Sequence, residues 1–112
     1  MSEDGKLSEA AIAELKSKYP GVELDLITAP DKSEVVVRAP DQITYARFIA
    51  EATNEKKDRA TSMRAYAMQC TVYPTPAAAE ALFAKYVAFP GAIAKHLNDM
   101  AGAVEELDAK KL

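Results

Sequence analysis

The sequence has few of the residues from which most active sites are built. Among its 112 residues there is one cysteine, Cys70, one histidine, His96, and no tryptophan. A single cysteine cannot form an internal disulfide, which agrees with a reducing compartment. One histidine and one cysteine also cannot supply the ligand set of an ordinary zinc site. We therefore expect no metal and no cofactor.

Glycine and long apolar runs are scarce as well. The four glycines are scattered at positions 5, 21, 91 and 102, so no glycine-rich phosphate loop can form locally. Charged residues interrupt every apolar run well before the ~20 residues that span a bilayer. The first ten residues lack the basic and apolar regions of a signal peptide. We expect no membrane insertion and a cytoplasmic location.

The same scarcity predicts a protein that is not an enzyme. A serine or thiol mechanism would need His96 as its base, and the spacing around Cys70 predicts that its thiol faces the core. The formal net charge is −3, so the chain lacks the long-range positive field that attracts nucleic acid. We expect a protein partner and no nucleic acid.

What is present is typical of one globular unit. Hydrophobic residues make up 49% and charged residues 28% of a length usual for one domain. We predict a small, mainly helical α+β domain spanning residues 1–112, with an N-terminal helix, one β-hairpin and about four following helices. Residues 1–7 are expected to fray. Residues 103–112 form a tail that extends the last helix, docks on a partner or frays.

The first helix and the hairpin are predicted from capping and from period. Ser8 is a typical N-cap, and the apolar spacing that follows it predicts a helix to about Lys18. Residues 22–28 alternate in the period of a half-buried strand, and residues 34–39 form a second, β-branched strand. We expect Val35 and Val37 to face inward and Glu34, Val36 and Arg38 to face outward. The hairpin edges are either covered by helices or free to recruit another strand.

The period changes to that of a helix after Pro40. Asp41 is the predicted N-cap of a helix that runs to about Thr53. Residues 54–59 are the most polar stretch and form either a loop or a wet continuation of that helix. A central helix is predicted over residues 60–72. The expected inward stripe of the helix after Asp41 consists of Ile43, Ala46, Phe48, Ala52 and either Ile49 or Ala50.

The stretch from 69 to 91 predicts one helix ending and another beginning. Pro74 stops the first, Thr75 caps the second, and Pro76 at the first helical position loses no hydrogen bond. The new helix presents Ala79, Leu82, Phe83 and Tyr86 along one face. The Phe89-Pro90-Gly91 segment then turns the chain into a last helix that starts at Pro90 or Gly91 and ends at Gly102. Its apolar face carries Ile93, Leu97 and Met100.

Residues 10–102 resemble small tail-assembly proteins of long-tailed bacteriophages. The resemblance is carried by Arg38 and Pro40 with Tyr45 and Phe48, by Cys70, Tyr73-Pro74 and Pro76, by the segment from Tyr86 to Pro90-Gly91, and by Gly102. Between Tyr86 and Pro90 this chain departs from the family pattern by the longer segment Val87-Ala88-Phe89. The resemblance implies a chaperone that binds the helical tape-measure protein during tail assembly, encoded by a phage or a prophage.

Such work needs apolar surface rather than a reactive side chain. The candidate partner-binding residues are the aromatic ones: Tyr45, Phe48, Tyr73, Phe83, Tyr86 and Phe89. An alternative is a structural or completion protein of the head or tail that stays in the virion. A homo-oligomer is compatible with the hairpin edge and the aromatic set.

Overall fold

A three-stranded antiparallel sheet and five helices make up the described part of the chain. The computed structural model describes residues 7–102 and 109–112. The elements in chain order are α1 (Glu9–Lys18), β1 (Leu24–Thr28), β2 (Glu34–Arg38), α2 (Gln42–Ala52), α3 (Arg59–Cys70), β3 (Thr71–Tyr73), α4 (Pro76–Lys85) and α5 (Phe89–Met100). The predicted α+β class, with a helix first, then a hairpin, then four helices, is confirmed.

The expectations for residues 1–6 and 103–108 lie outside the described residues. Leu7, which we expected to fray, is held in place because its backbone N–H donates to Glu34 Oε1 at 2.6 Å. This bond ties the residue before the N-cap of α1 to the first residue of β2.

Side-chain caps begin the first four helices. Ser8, Asp41 and Thr75 accept hydrogen bonds from backbone N–H groups in the first turns of α1, α2 and α4, as predicted. Asp58 caps α3 in the same way, accepting from Thr61 at 3.2 Å. Residues 54–58 therefore form a loop that ends in a cap, so the loop alternative is the one the structure adopts. Helix α5 has no side-chain cap; Pro90 lies in its first turn.

The hairpin turn brings β1 and β2 into register with Leu26 opposite Val36. Ala29 N–H donates to the carbonyl of Ser33 at 2.8 Å, and Lys32 N–H donates to the carbonyl of Ala29 at 2.9 Å. Lys32 has a φ of 74°, the left-handed conformation that closes a three-residue hairpin loop. Asp31 accepts hydrogen bonds from the backbone and hydroxyl of Ser33, which orders the loop further.

The third strand was not predicted. We expected the central helix to continue to Val72, but α3 ends at Cys70, and Thr71–Tyr73 pair with β2 as β3. Thr71 and Val72 are β-branched, and Tyr73 precedes a proline, which disfavours helical backbone. The Tyr73-Pro74 peptide bond is cis. The sheet order is β1-β2-β3, so β2 is its central strand.

Both faces of β2 are buried. Val35 and Val37 are fully buried in the main core, as predicted, but Val36 is only 5% exposed on the other face, so the prediction that it points outward was wrong. Helix α1 lies over that face, where Ile12 and Leu15 line one groove together with Leu24, Leu26 and Val36. The alternation of side chains along the strand correctly placed Val36 on the face opposite Val35 and Val37. That α1 covers this face could not be predicted from the strand itself.

Arg38 connects the end of β2 with two helices. Its Nη2 donates to the carbonyl of Gln69 at 3.3 Å, in the last turn of α3. Its Nη1 lies 4.0 Å from Asp41, the cap of α2. A cation is favourable at the carboxyl end of a helix, so the half-buried Arg38 joins the sheet to α3 instead of pointing freely into solvent.

Helix α2 buries only part of its predicted inward stripe. Phe48 lies in the core and Ala52 packs against it, as predicted. The prediction was wrong for Ile43, which is 72% exposed, and for Ile49, which is 40% exposed; Ala46 and Ala50 are exposed as well, and Thr44 is buried instead. Apolar residues lie on all sides of this helix, so their spacing does not select one face. Contacts with α3, including the stacked rings of Phe48 and Tyr66 at 4.2 Å, select which face is covered.

Helices α3 and α5 pack together to form most of the core. Cys70, Tyr66 and Ala67 of α3 and Ile93 and Leu97 of α5 are at most 2% exposed. The predicted inward faces of α3, α4 and α5 are confirmed. Helix α5 begins at Phe89, before the predicted Pro90 or Gly91, because a proline is favourable within the first turn.

No single helix in residues 7–102 and 109–112 has the length and apolar character needed to cross a membrane. Helices α4 and α5 satisfy that test only when taken together, and they are bent by 116° at the break between them.

Removing a ring from the centre of the core should destabilise the fold. Phe83 is 1% exposed and meets Phe89 edge to face with ring centroids 6.0 Å apart. We expect Phe83→Ala to lower the free energy of unfolding by about 3–5 kcal/mol through lost burial and the cavity left behind. Urea titration followed by circular dichroism measures this. Ala84→Ser on the exposed side of the same helix is the control; equal stability of the two variants would contradict the assignment.

The cap of α2 should contribute to acid sensitivity. Hydrogen bonding from Thr44 lowers the pKa of Asp41 below its ordinary value of 3.8. The stabilisation from this carboxylate is therefore present above the unfolded-state pKa and is lost as pH falls through the lower folded-state pKa. Asp41→Asn keeps a capping oxygen but cannot titrate, so its urea midpoint should fall less than that of the wild type between about pH 5 and pH 2. Parallel pH profiles for the two proteins would refute this role.

Candidate protein-binding surface

The three phenylalanines among the predicted contact residues lie in the core. Phe48 and Phe89 are 8% exposed and Phe83 is 1% exposed. Their rings pack on the protein's own side chains in the stacked and edge-to-face pairs described above. These rings support the surface residues above them, and little of their own side-chain area is accessible to a partner.

The three tyrosines are half-buried and lie on different parts of the surface. Tyr45 of α2 and Tyr86 at the end of α4 pack against the core with part of each ring outside. Tyr73 of β3 lies between a groove of about 350 Å³ that contains Pro74 and Leu82 and a smaller one beside α1. The structure therefore does not gather the six predicted residues into one site.

A strongly exposed apolar side chain lies at the corner between α4 and α5. Val87 is 83% exposed, more than any other large apolar residue in the described range 7–102. The corner is tight, since Tyr86 N–H donates to the carbonyl of Leu82 and Phe89 N–H donates to that of Tyr86. Because α5 starts immediately after the corner, the Val87 side chain stands between two helix ends.

An apolar groove of about 410 Å³ lies on one side of Val87. All its lining residues are apolar or aromatic and come from the corner, from α5 and from the hairpin turn: Pro30, Tyr86, Val87, Ala88, Phe89 and Ala92. Lys85 stands beside it, with Nζ 5.3 Å from the centre of the Tyr86 ring. The groove thus has an apolar floor and a cation near its rim.

A second groove, of about 460 Å³, lies on the other side of Val87 and shares Ala88 with the first. Met63 and Phe83 contribute apolar surface from α3 and α4, and Pro90 and Gly91 contribute the first turn of α5. Asp58 and Arg64 supply one charge of each sign. Val87 and Ala88 therefore form a ridge between two grooves; we call this ridge and the two grooves the corner surface.

The outer face of α2 is a second exposed apolar area, again unpredicted because Ile43 and Ile49 were assigned to the core. Their exposure leaves two aliphatic side chains of α2 in contact with solvent. Neither side chain lines the two grooves beside Val87, so the corner surface is the better fit to a protruding partner side chain.

The Cys70 thiol and the His96 imidazole, the two groups considered as reactive, each have a structural role. Cys70 is fully buried, and burial raises the pKa of its thiol, opposite to the shift of an activated nucleophile. His96 Nε2 lies 2.7 Å from Asp25 Oδ2, which connects α5 to β1. Within the described ranges no group of three or more His, Cys, Asp or Glu side chains is arranged to hold a metal ion.

Comparison with known proteins identifies the fold. No protein-family model matches the chain, and a search of curated proteins found no match. The chain is similar to the solved structure of the uncharacterised protein rbstp2171 from Bacillus stearothermophilus, with a TM-score of 0.71 over 88% of this chain and 99% of that chain. The two sequences are 19% identical, so the similarity shows a shared fold and carries no assignment of activity.

The buried thiol predicts slow chemical modification. We expect iodoacetamide at neutral pH to alkylate Cys70 only as fast as the protein opens, and rapidly once urea unfolds it. Intact-mass measurements over time give the rate. In a Val87→Cys variant the new exposed thiol should react at the rate of a free peptide while Cys70 stays protected. Equal reactivity of the two thiols in the folded variant would show that Cys70 is accessible.

Proposed function

We propose that the protein is a non-enzymatic interaction protein that acts as a tail-assembly chaperone of a long-tailed bacteriophage or prophage. In this role it binds the tape-measure protein, or another tail protein, in the cytoplasm of the host cell during tail assembly. The single observation that supports it best is the corner surface, because an exposed apolar ridge between two grooves is costly for a protein without a partner.

The corner surface coincides with residues that carry the family resemblance. Tyr86, Pro90 and Gly91 belong to the segment that resembles tail-assembly proteins, and they line the two grooves. Val87, Ala88 and Phe89 are the residues by which this chain departs from the family pattern. We infer that the longer segment enlarges the ridge and adapts it to the partner of this particular chain.

The geometry suits an amphipathic helix as the ligand. Such a helix presents apolar side chains three and four residues apart, and these can enter the two grooves on either side of Val87. Asp58 and Arg64 at one groove and Lys85 near the other are placed to meet polar side chains beside that apolar stripe. The tape-measure protein, as a long helical chain, offers many stripes of this kind before it enters the tail tube.

The charge of the chain fits the same role. A formal net charge of −3 keeps a complex dispersed by repulsion between copies while the apolar ridge covers the partner. Binding would need only burial and release of apolar surface, with no covalent step. A chaperone of this type acts by competing with self-association of its partner.

A charge placed on the ridge should weaken binding strongly. Val87→Asp should weaken affinity for the tape-measure protein encoded by the same phage or prophage by about 30-fold or more, because burial of a valine contributes roughly 2 kcal/mol and the new carboxylate would be desolvated. Isothermal titration calorimetry with helical segments of that protein measures the change. Ile43→Asp, an equivalent substitution outside both grooves, is the matched control. Loss of binding in the control alone would move the site to α2.

Purified phage particles separate the chaperone from a structural component. Mass spectrometry should detect the tape-measure protein in finished virions and should not detect this chain. Its stoichiometric presence would overturn the chaperone proposal in favour of a head or tail component. A tape-measure gene just downstream of the coding sequence would support the proposal, and a host metabolic operon in its place would contradict it.

A further inference from the structure

Strand β1 has one edge that no strand in residues 7–102 and 109–112 pairs with. Ala29 N–H donates to Ser33, and Ala39 N–H donates to Glu23, so positions 23 and 29 form hydrogen-bonded pairs with the β2 side. These pairs alternate along an antiparallel ladder. Leu24, Leu26 and Thr28 therefore direct their backbone N–H and C=O groups away from β2, toward the open edge.

This edge lacks the features that usually prevent strand pairing. The sequence of β1 is LDLIT, with no proline, lysine or arginine. Its one charge, Asp25, is held against His96 at 2.7 Å on the face that packs on α5. Val22, two residues before the strand, is 41% exposed, and Leu26 within the strand is 43% exposed. An extended and partly apolar edge of this kind recognises the backbone of another strand.

We infer that β1 pairs antiparallel with β1 of a second copy of the chain, about a two-fold axis at Leu26. In this register Leu26 lies opposite Leu26 of the second copy, and Leu24 lies opposite Thr28. All three positions direct their backbone groups to the open edge, so the Leu26–Leu26 pair and both Leu24–Thr28 pairs are hydrogen-bonded pairs. The result is one continuous sheet in the order β3-β2-β1-β1-β2-β3.

The side chains of β1 are compatible with this self-pairing. Asp25 comes opposite Ile27 of the second copy, so the two carboxylates do not face each other directly. Leu24 and Leu26 lie on the α1 face, where a groove of about 220 Å³ separates them from Ile12, Leu15 and Lys16. A two-fold axis perpendicular to the sheet places both α1 helices on that face. The two grooves then meet above the Leu26 pair and cover its exposed surface.

A second copy fits this edge better than an unrelated peptide because the edge is complementary to itself. The pairing is isologous, as in most homodimers: each copy supplies the same residues, and the strand length matches by construction. It uses neither Val87 nor the grooves around it. The dimer is therefore independent of the proposed function, and either can fail while the other holds.

Cysteine cross-linking tests the register. In Leu26→Cys the two new thiols face each other across the axis, with Cα atoms about 5.5 Å apart, within the range of a disulfide. Mild oxidation should give a covalent dimer of twice 12.1 kDa in non-reducing electrophoresis. Thr28→Cys should not cross-link to itself, because its counterpart lies four positions away, about 13 Å. A mixture of Leu24→Cys and Thr28→Cys proteins should form the mixed dimer.

Sedimentation equilibrium tests the association without a covalent bond. The wild-type chain should change from monomer to dimer over about a hundredfold range of concentration. Leu26→Pro removes an N–H that points to the open edge and spares the β1-β2 ladder, so it should remain monomeric with the wild-type circular dichroism spectrum. Val87→Asp should still dimerise. A monomeric wild type at every concentration, or equal cross-linking of Leu26→Cys and Thr28→Cys, would overturn the inference.

Discussion

The burial of β2 on both faces is the constraint on which the rest of the structure depends. Val35 and Val37 require the core built from α3 and α5, and Val36 requires a cover on the opposite side. Helix α1 provides this cover for Val36, although none of its own residues is fully buried. The hydrogen bond from Leu7 to Glu34 and the Arg38 bond to Gln69 then fasten each layer to the same strand.

Features that depend on neighbouring residues in the chain could be predicted, and features that depend on distant partners could not. Ser8, Asp41 and Thr75 cap helices because their side chains reach a backbone N–H three residues ahead. Which face of α2 is buried is decided by α3, so Ile43 was placed inside although it is exposed, and the burial of Thr44 was not predicted. The third strand was short enough to look like the end of a helix, although Pro74 and the β-branched residues before it were a usable signal.

The candidate site shows the same division. Aromatic residues were taken as contacts because large rings dominate many interfaces, yet in a domain of this size the phenylalanines are needed for the core. Val87 is small, lies between two helices and belongs to no periodic stripe, so pattern analysis did not select it. Its position in the segment that departs from the family pattern was the one available hint. The corner surface became visible only when α4, α5 and the hairpin turn were placed together.

The shortness of β3 has a consequence for assembly at the other side of the sheet. Thr71–Tyr73 is only three residues long and is followed directly by Pro74, which has no N–H to donate. A sheet that can grow at β1 is therefore poorly able to grow at β3. In the proposed dimer, pairing through β1 closes after one addition, and the short β3 edges that remain disfavour further edge-to-edge growth into a fibril.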